Sequence, residues 1–147
     1  MPYDDYKFSA QTLDNKRLGK QRVETWQILQ ALRGQTKGWV NHPATRMWEN
    51  CEQALIHYGM VISAEWQERG FQDIMYDRFR AEFISLDYKI PWWLGFDALH
   101  TSHQSNLYRK DPNYYKDFAL APQNLPYVWC RADGTYFEGE KPNVTIL

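Results

Sequence analysis

The stretch LDNKRLGKQRVE, residues 13–24, decides how this chain reads. It gathers Lys16, Arg17, Lys20 and Arg22 within seven residues, with no acid among them, and then places Glu24. Thr12 or Asp14 supplies a helix start, and Gly34 and Gly38 supply a stop. A helix is therefore expected from there to about residue 32. Each residue turns it by about 100°. One row then carries Arg17, Gln21, Glu24 and Ile28, with Lys20 beside it. The next row carries Leu18, Arg22, Thr25 and Leu29, so Arg22 falls in half-apolar company. Gly19 costs this helix about 1 kcal/mol relative to Ala. Its missing side chain lets another group approach closely.

Two readings of the polar face stand. In one it is solvated, and Lys20 with Glu24 is an ordinary i,i+4 pair worth a few tenths of a kcal/mol. In the other it binds phosphates and holds a catalytic carboxylate. Cations grip a nucleic-acid backbone, and the carboxylate handles a proton or a developing positive charge.

Working outward, GWVNHPATRMW is a connector with Pro43 near the start of a second helix, expected over 44–58. Gly59 kinks or ends it. A third segment, 60–69, stops at Gly70. FQDIMYDRFRAEFISL, 71–86, reads as another helix, and Pro91 breaks the chain in KIPWWLGFD. ALHTSHQSNLYRKD, 98–111, is the last helix, stopped by Pro112. The remainder is turn-rich, with Pro122, Pro126, ADG and Pro142; GTYFEGE, 134–140, is a short strand. The expected fold is all-α: a compact single-domain bundle of a few helices with an irregular, turn-rich C-terminal tail, over residues 1–147. That length can bury a core without disulfides or metals.

Net charge is −1, so a polyanion would have to meet a local basic patch rather than a basic molecule. Cys51 and Cys130 are far apart and match no zinc or small-loop disulfide spacing. They read as free thiols in a reducing compartment, with Cys51 in the core. No apolar run nears the roughly 20 residues that span a bilayer, and MPYDDYKFSA lacks the regions of a signal peptide. The expected location is cytoplasmic, with no membrane partner.

In RKDPNYYK, Arg109, Lys110 and Lys116 interleave with Tyr114 and Tyr115, a pattern suited to backbone contact plus stacking. The alternative is that the tyrosines pack the tail, and one of them is expected in the core. His42 either meets a phosphate or leaves its neighbour Asn41 to cap the next helix. At least one of Trp92 and Trp93 is expected in the core; the other could wedge into DNA. His100 and His103 form an i,i+3 pair that could bind a metal, but no further ligand set accompanies them. No metal and no other cofactor is expected.

Three stretches, LDNKRLGKQRVE, NHPATRMWENCEQALIHYGMVISAEWQERGF and HTSHQSNLYRKDPNYYKDF, occur in this order across most of the first 118 residues. Together they resemble the pyrimidine-dimer DNA glycosylase family, also called the phage-type endonuclease V family. The resemblance implies a compact all-α monomer that uses no metal. It implies a DNA repair glycosylase with abasic-site lyase activity on damaged double-stranded DNA. The implied nucleophile is the α-amine bared by loss of the initiator Met, here the secondary amine of Pro2. An α-amine titrates near 8, so part of it is neutral at pH 7. Glu24 aligns with the family's catalytic Glu. Val23 stands where the family often has Arg, with Arg22 one place earlier; a second family Arg falls near Trp26. The implied DNA contacts are Lys16, Arg17, Lys20, Gln21, Arg22, His42, Arg109, Lys110, Tyr114, Tyr115 and Lys116. The alternatives are a non-catalytic nucleic-acid-binding module that keeps the basic face, and a glycosylase for another modified base.

Overall fold

A computed structural model describes residues 1–139. Its helices are α1 Tyr6–Thr12, α2 Asn15–Leu32, α3 Pro43–Met47, α4 Glu52–Glu68, α5 Met75–Glu82 and α6 Asp97–Lys110. The strands β1 Tyr127–Cys130 and β2 Tyr136–Gly139 pair antiparallel, Tyr127 opposite Gly139 and Cys130 opposite Tyr136. The fold is mostly helical, as expected. Glu140 and Pro142, which the sequence assigns to the strand and the tail, lie outside the described residues.

The central helix, α2, runs as predicted. Gly34, at φ +70°, provides the left-handed residue that ends it. Asp14 is its N-cap, but the carboxylate makes no capping bond. It accepts from the Tyr115 hydroxyl at 2.5 Å and pairs with Arg17 at 3.2 Å. The helix start is thereby tied to the segment after α6.

Three boundaries differ from expectation. Upstream, Asp5 starts α1, its carboxylate accepting from the Phe8 N–H at 2.7 Å. The expected break at Gly59 is absent, and α4 runs through it. The break falls earlier, at Asn50 with φ +65° and Cys51. Gly59 serves packing instead: a Cβ there would lie 2.4 Å from Phe79 Cε1, so α5 crosses α4 on this glycine. The fourth predicted helix shrinks from 71–86 to α5, because the Gln53 side chain donates to the Glu82 carbonyl at 3.2 Å and accepts the Ile84 N–H at 2.8 Å.

The core joins α2, α4 and α5 through Leu18, Ile28, Leu29, Leu55, Tyr58, Ile62 and Phe79, with Trp48 and Trp93 stacked edge-on at 4.8 Å. Trp93 is buried and donates to the Met47 carbonyl, while Trp92 stays 40% exposed and donates to the Arg131 carbonyl. Both cysteines are buried and free. Against α6 lies β1, whose residues are all buried. Ser102 and Ser105 accept the N–H groups of Val128 and Leu125, and Asn106 donates to the Leu125 carbonyl. This polar row of α6 is what seats the tail. Among the described residues no helix is long and apolar enough to cross a membrane.

Candidate active site

The packing of α2 on α4 and α5 turns part of its polar row inward. Gln21 and Glu24 are buried, Lys16 and Lys20 stay exposed, and Arg17 is half-buried. Glu24 is only 6% exposed, and its Oε2 finds no hydrogen-bond partner among the described residues. The simple solvated i,i+4 pair with Lys20 is therefore not what forms. Burial drives the Glu24 carboxyl up to about 7, against the opposing pull of Lys20 and Lys110. A carboxyl held there exchanges its proton near neutral pH. Glu24 borders an open groove of about 540 Å³, with Lys16, Gly19, Lys20, Val23 and Trp66 among its other walls. The close approach that Gly19 permits is made by Trp66, whose Cη2 would be 2.9 Å from a Cβ at that position. Phe71 stacks on the Trp66 ring with centroids 4.0 Å apart.

A second cluster forms where α6 meets the N-terminus and β1. His100 accepts the Gly95 N–H on Nε2 at 2.9 Å, so its Nδ1 carries the proton and donates to the Met1 carbonyl. His103 Nδ1 lies 2.6 Å from the Met1 amine, and Gln104 donates to the Pro2 carbonyl at 2.8 Å. One turn of α6 thus grips residues 1 and 2, both buried. Burial pushes the Met1 amine and His103 well below their ordinary ranges. The histidine pair considered as metal ligands holds the chain start by these contacts. Among the described residues no group of three or more His, Cys, Asp or Glu could hold a metal ion.

Lys110 links the two clusters. Its Nζ lies 2.8 Å from the Tyr127 hydroxyl and 5.5 Å from that ring's centroid, and the ring packs edge-on against His103. Burial, then Arg17, Arg109 and Lys20, lower the Lys110 amine to about 8, while Glu24 acts in the opposite direction. Lys20 and Lys110 thus act on Glu24, while Arg17, Arg109 and Lys20 act on Lys110.

Other candidates are placed differently. Arg22 turns toward α5, pairing with Asp73 at 2.8 Å and lying over Trp66. Gln21 donates to Thr25 on its own helix. His42, rather than Asn41, caps α3 by accepting the Ala44 N–H at 3.0 Å, and packs against Trp39 and Trp129. Tyr115 is the core tyrosine and Tyr114 is half-exposed; Lys116 is exposed on the 3-10 turn Lys116–Phe118. Tyr127 was not a sequence candidate. The run YVWC, aromatic and β-branched, carries the signal of a buried strand, but not the sign that its hydroxyl would meet a lysine from α6.

The site thus brings a buried, protonatable carboxyl into the field of Lys20 and Lys110 in a small, mostly helical protein. The model of the family described as pyrimidine dimer DNA glycosylase matches residues 1–78, just over half of the chain, and the chain belongs to that family. No curated protein and no solved structure matches it.

Proposed function

We propose that the chain excises the base at pyrimidine-dimer lesions in duplex DNA and then cleaves the strand at the resulting abasic site. Glu24 carries this reading: it is buried, lacks a hydrogen-bond partner for Oε2 among the described residues, and titrates near neutrality beside the cationic cluster. Lesion binding draws a nucleotide out of the stack, at lowest cost where damage has weakened pairing. Lys16, Arg17, Lys20, Arg109 and Lys116 hold phosphates. With Met1 removed, the Pro2 secondary amine heads the chain beside the two histidines.

The amine's lone pair adds to the sugar C1′, and the base leaves with the electrons of the glycosidic bond and a proton. The C1′–O4′ bond then opens, its electron pair and a proton from water going to O4′, and ionised Glu24 offsets the positive charge of the iminium so formed. Loss of the C2′ proton then expels the 3′ phosphate and breaks the strand. The test is Glu24→Gln on a duplex carrying one cyclobutane dimer. Cleavage is expected to fall by about 100-fold or more, with DNA affinity nearly unchanged. Cleavage at wild-type rate in the Gln variant would remove Glu24 from the chemistry. Tight binding without cleavage by the wild-type chain, with Met1 shown to be removed, would favour the non-catalytic module.

A further inference from the structure

We propose that His100 and His103 seat the terminal amine of the chain that has lost Met1, His103 as the base that takes the amine's proton and His100 as the residue that positions its lone pair. The inference rests on the reading above, in which the Pro2 amine is the nucleophile. The two histidines lie one turn apart on α6 and are both buried. Each turns Nδ1 toward residue 1, His100 to the carbonyl oxygen at 2.9 Å and His103 to the amine at 2.6 Å. These two groups are the ones that leave with Met1.

Residues 2 and 3 have anchors of their own. Gln104 donates to the Pro2 carbonyl at 2.8 Å. The Tyr3 N–H meets the Ser9 hydroxyl at 3.2 Å, and its ring stacks on Phe8 with centroids 4.2 Å apart. Loss of Met1 breaks none of these contacts, so Pro2 keeps its place. Covalent geometry then bounds the new distances. The Pro2 nitrogen is about 2.3 Å from the Met1 carbonyl oxygen and no more than about 3.6 Å from the Met1 nitrogen. It therefore lies within about 5 Å of His100 Nδ1 and about 6 Å of His103 Nδ1, spans that one water can bridge.

A neutral secondary amine offers one N–H and one lone pair. His100 supplies the matching donor, because the Gly95 N–H occupies its Nε2 and leaves the proton on Nδ1. His103 supplies the matching acceptor. Its Nε2 has no partner among the described residues, so the ring proton can sit there and leave the Nδ1 lone pair open. A protonated amine has two N–H groups and no lone pair, and would turn one of them against the His100 donor. The pair therefore favours the nucleophilic form. The other charges acting on it are Asp4, Asp97 and Lys110, and the Tyr127 ring of β1 packs edge-on against His103.

The step balances. The Pro2 lone pair leaves the His100 N–H and bonds to C1′ as the base departs with the electrons of the glycosidic bond. The nitrogen is then cationic and carries one proton, which passes to His103 Nδ1 directly or through the bridging water. A secondary amine must lose that proton before its lone pair can form the iminium. His103 returns it when hydrolysis frees the amine.

The test is an NMR titration of the full chain, with intact mass showing Met1 removed. Pro2 carbon shifts report the amine's proton, and ring nitrogen shifts report the histidines. Both rings are expected to respond at the amine's midpoint, and that midpoint to lie below its value for the same chain unfolded in urea. Silent rings, or a midpoint no lower than in urea, would overturn the proposal without any variant. His103→Asn keeps a polar group near Nδ1 but cannot take the proton. Its borohydride trapping at saturating abasic duplex should fall about 100-fold, with DNA affinity unchanged; trapping at the wild-type rate rules His103 out as the base. His100→Asn should raise the amine's midpoint, and an unmoved midpoint rules out the positioning role. An imine on Pro2 with silent rings leaves the proposed lyase intact. No imine on the DNA-bound chain defeats both readings.

Discussion

Glu24 illustrates what burial does to one residue. Its folded-state value of about 7 lies above the ordinary 4.5, so the folded chain holds this proton more tightly than the unfolded chain. Its contribution to stability is full below 4.5 and is lost as pH rises through about 7. Glu24→Gln removes the charge and nearly keeps the shape. The variant should be more stable than wild type by about 3 kcal/mol at alkaline pH. The gap should close as pH falls toward 4.5 in thermal melts across that range. Equal melting temperatures at every pH would mean that the carboxyl is solvated. Arg22 makes the opposite case. It belongs to the basic run of the sequence, but its half-buried side chain serves Asp73 and Trp66. Arg22→Ala should lower stability by about 1–3 kcal/mol, since it strands Asp73. It should leave the salt dependence of DNA binding unchanged.

At the scale of elements, the crossing of α5 over α4 depends on a missing side chain. Gly59→Ala gains about 1 kcal/mol of intrinsic helix propensity. That gain is smaller than the effect of a methyl placed 2.4 Å from the Phe79 ring, which must move. A net loss of about 1–2 kcal/mol is expected in urea unfolding, once the overpacking cost is set against propensity; a more stable variant would show that Phe79 relaxes freely. A second junction is made by Arg69 at the end of α4. It donates to the Ala10 and Gln11 carbonyls and to Asn15, and so ties α4 to the corner between α1 and α2. That corner sets the angle at which α2 presents its cations.

For the molecule as a whole, a net charge of −1 means that attraction to DNA depends on where cations sit rather than how many there are. Arg17 and Lys20 belong to the set that acts on Lys110. Replacing either with Ala should weaken binding to all duplex sequences alike. The slope of log affinity against log salt should drop by about 0.9 for each phosphate contact removed. An unchanged slope in both variants would make the face merely solvated.

What the sequence determined by itself was local. Stop residues marked the ends of α2, α4 and α6, because a left-handed glycine or a proline acts on its own turn. Helical spacing put Arg17, Gln21, Glu24 and Lys20 near one another, and the order of three motifs pointed to the family. The tertiary structure decided which way that row faces. Only tertiary packing buries Glu24, since a spacing of four residues is the same on an inward face and an outward one. Gly59 looked like a break because glycine weakens a helix, yet a ring from α5 uses the space it leaves. The meeting of Met1 with His103, and of Lys110 with Tyr127, joins residues far apart in sequence. No local rule encodes such meetings: they exist only once α6, β1 and the N-terminus are packed together, and it is their exclusion of water that shifts the proton affinities.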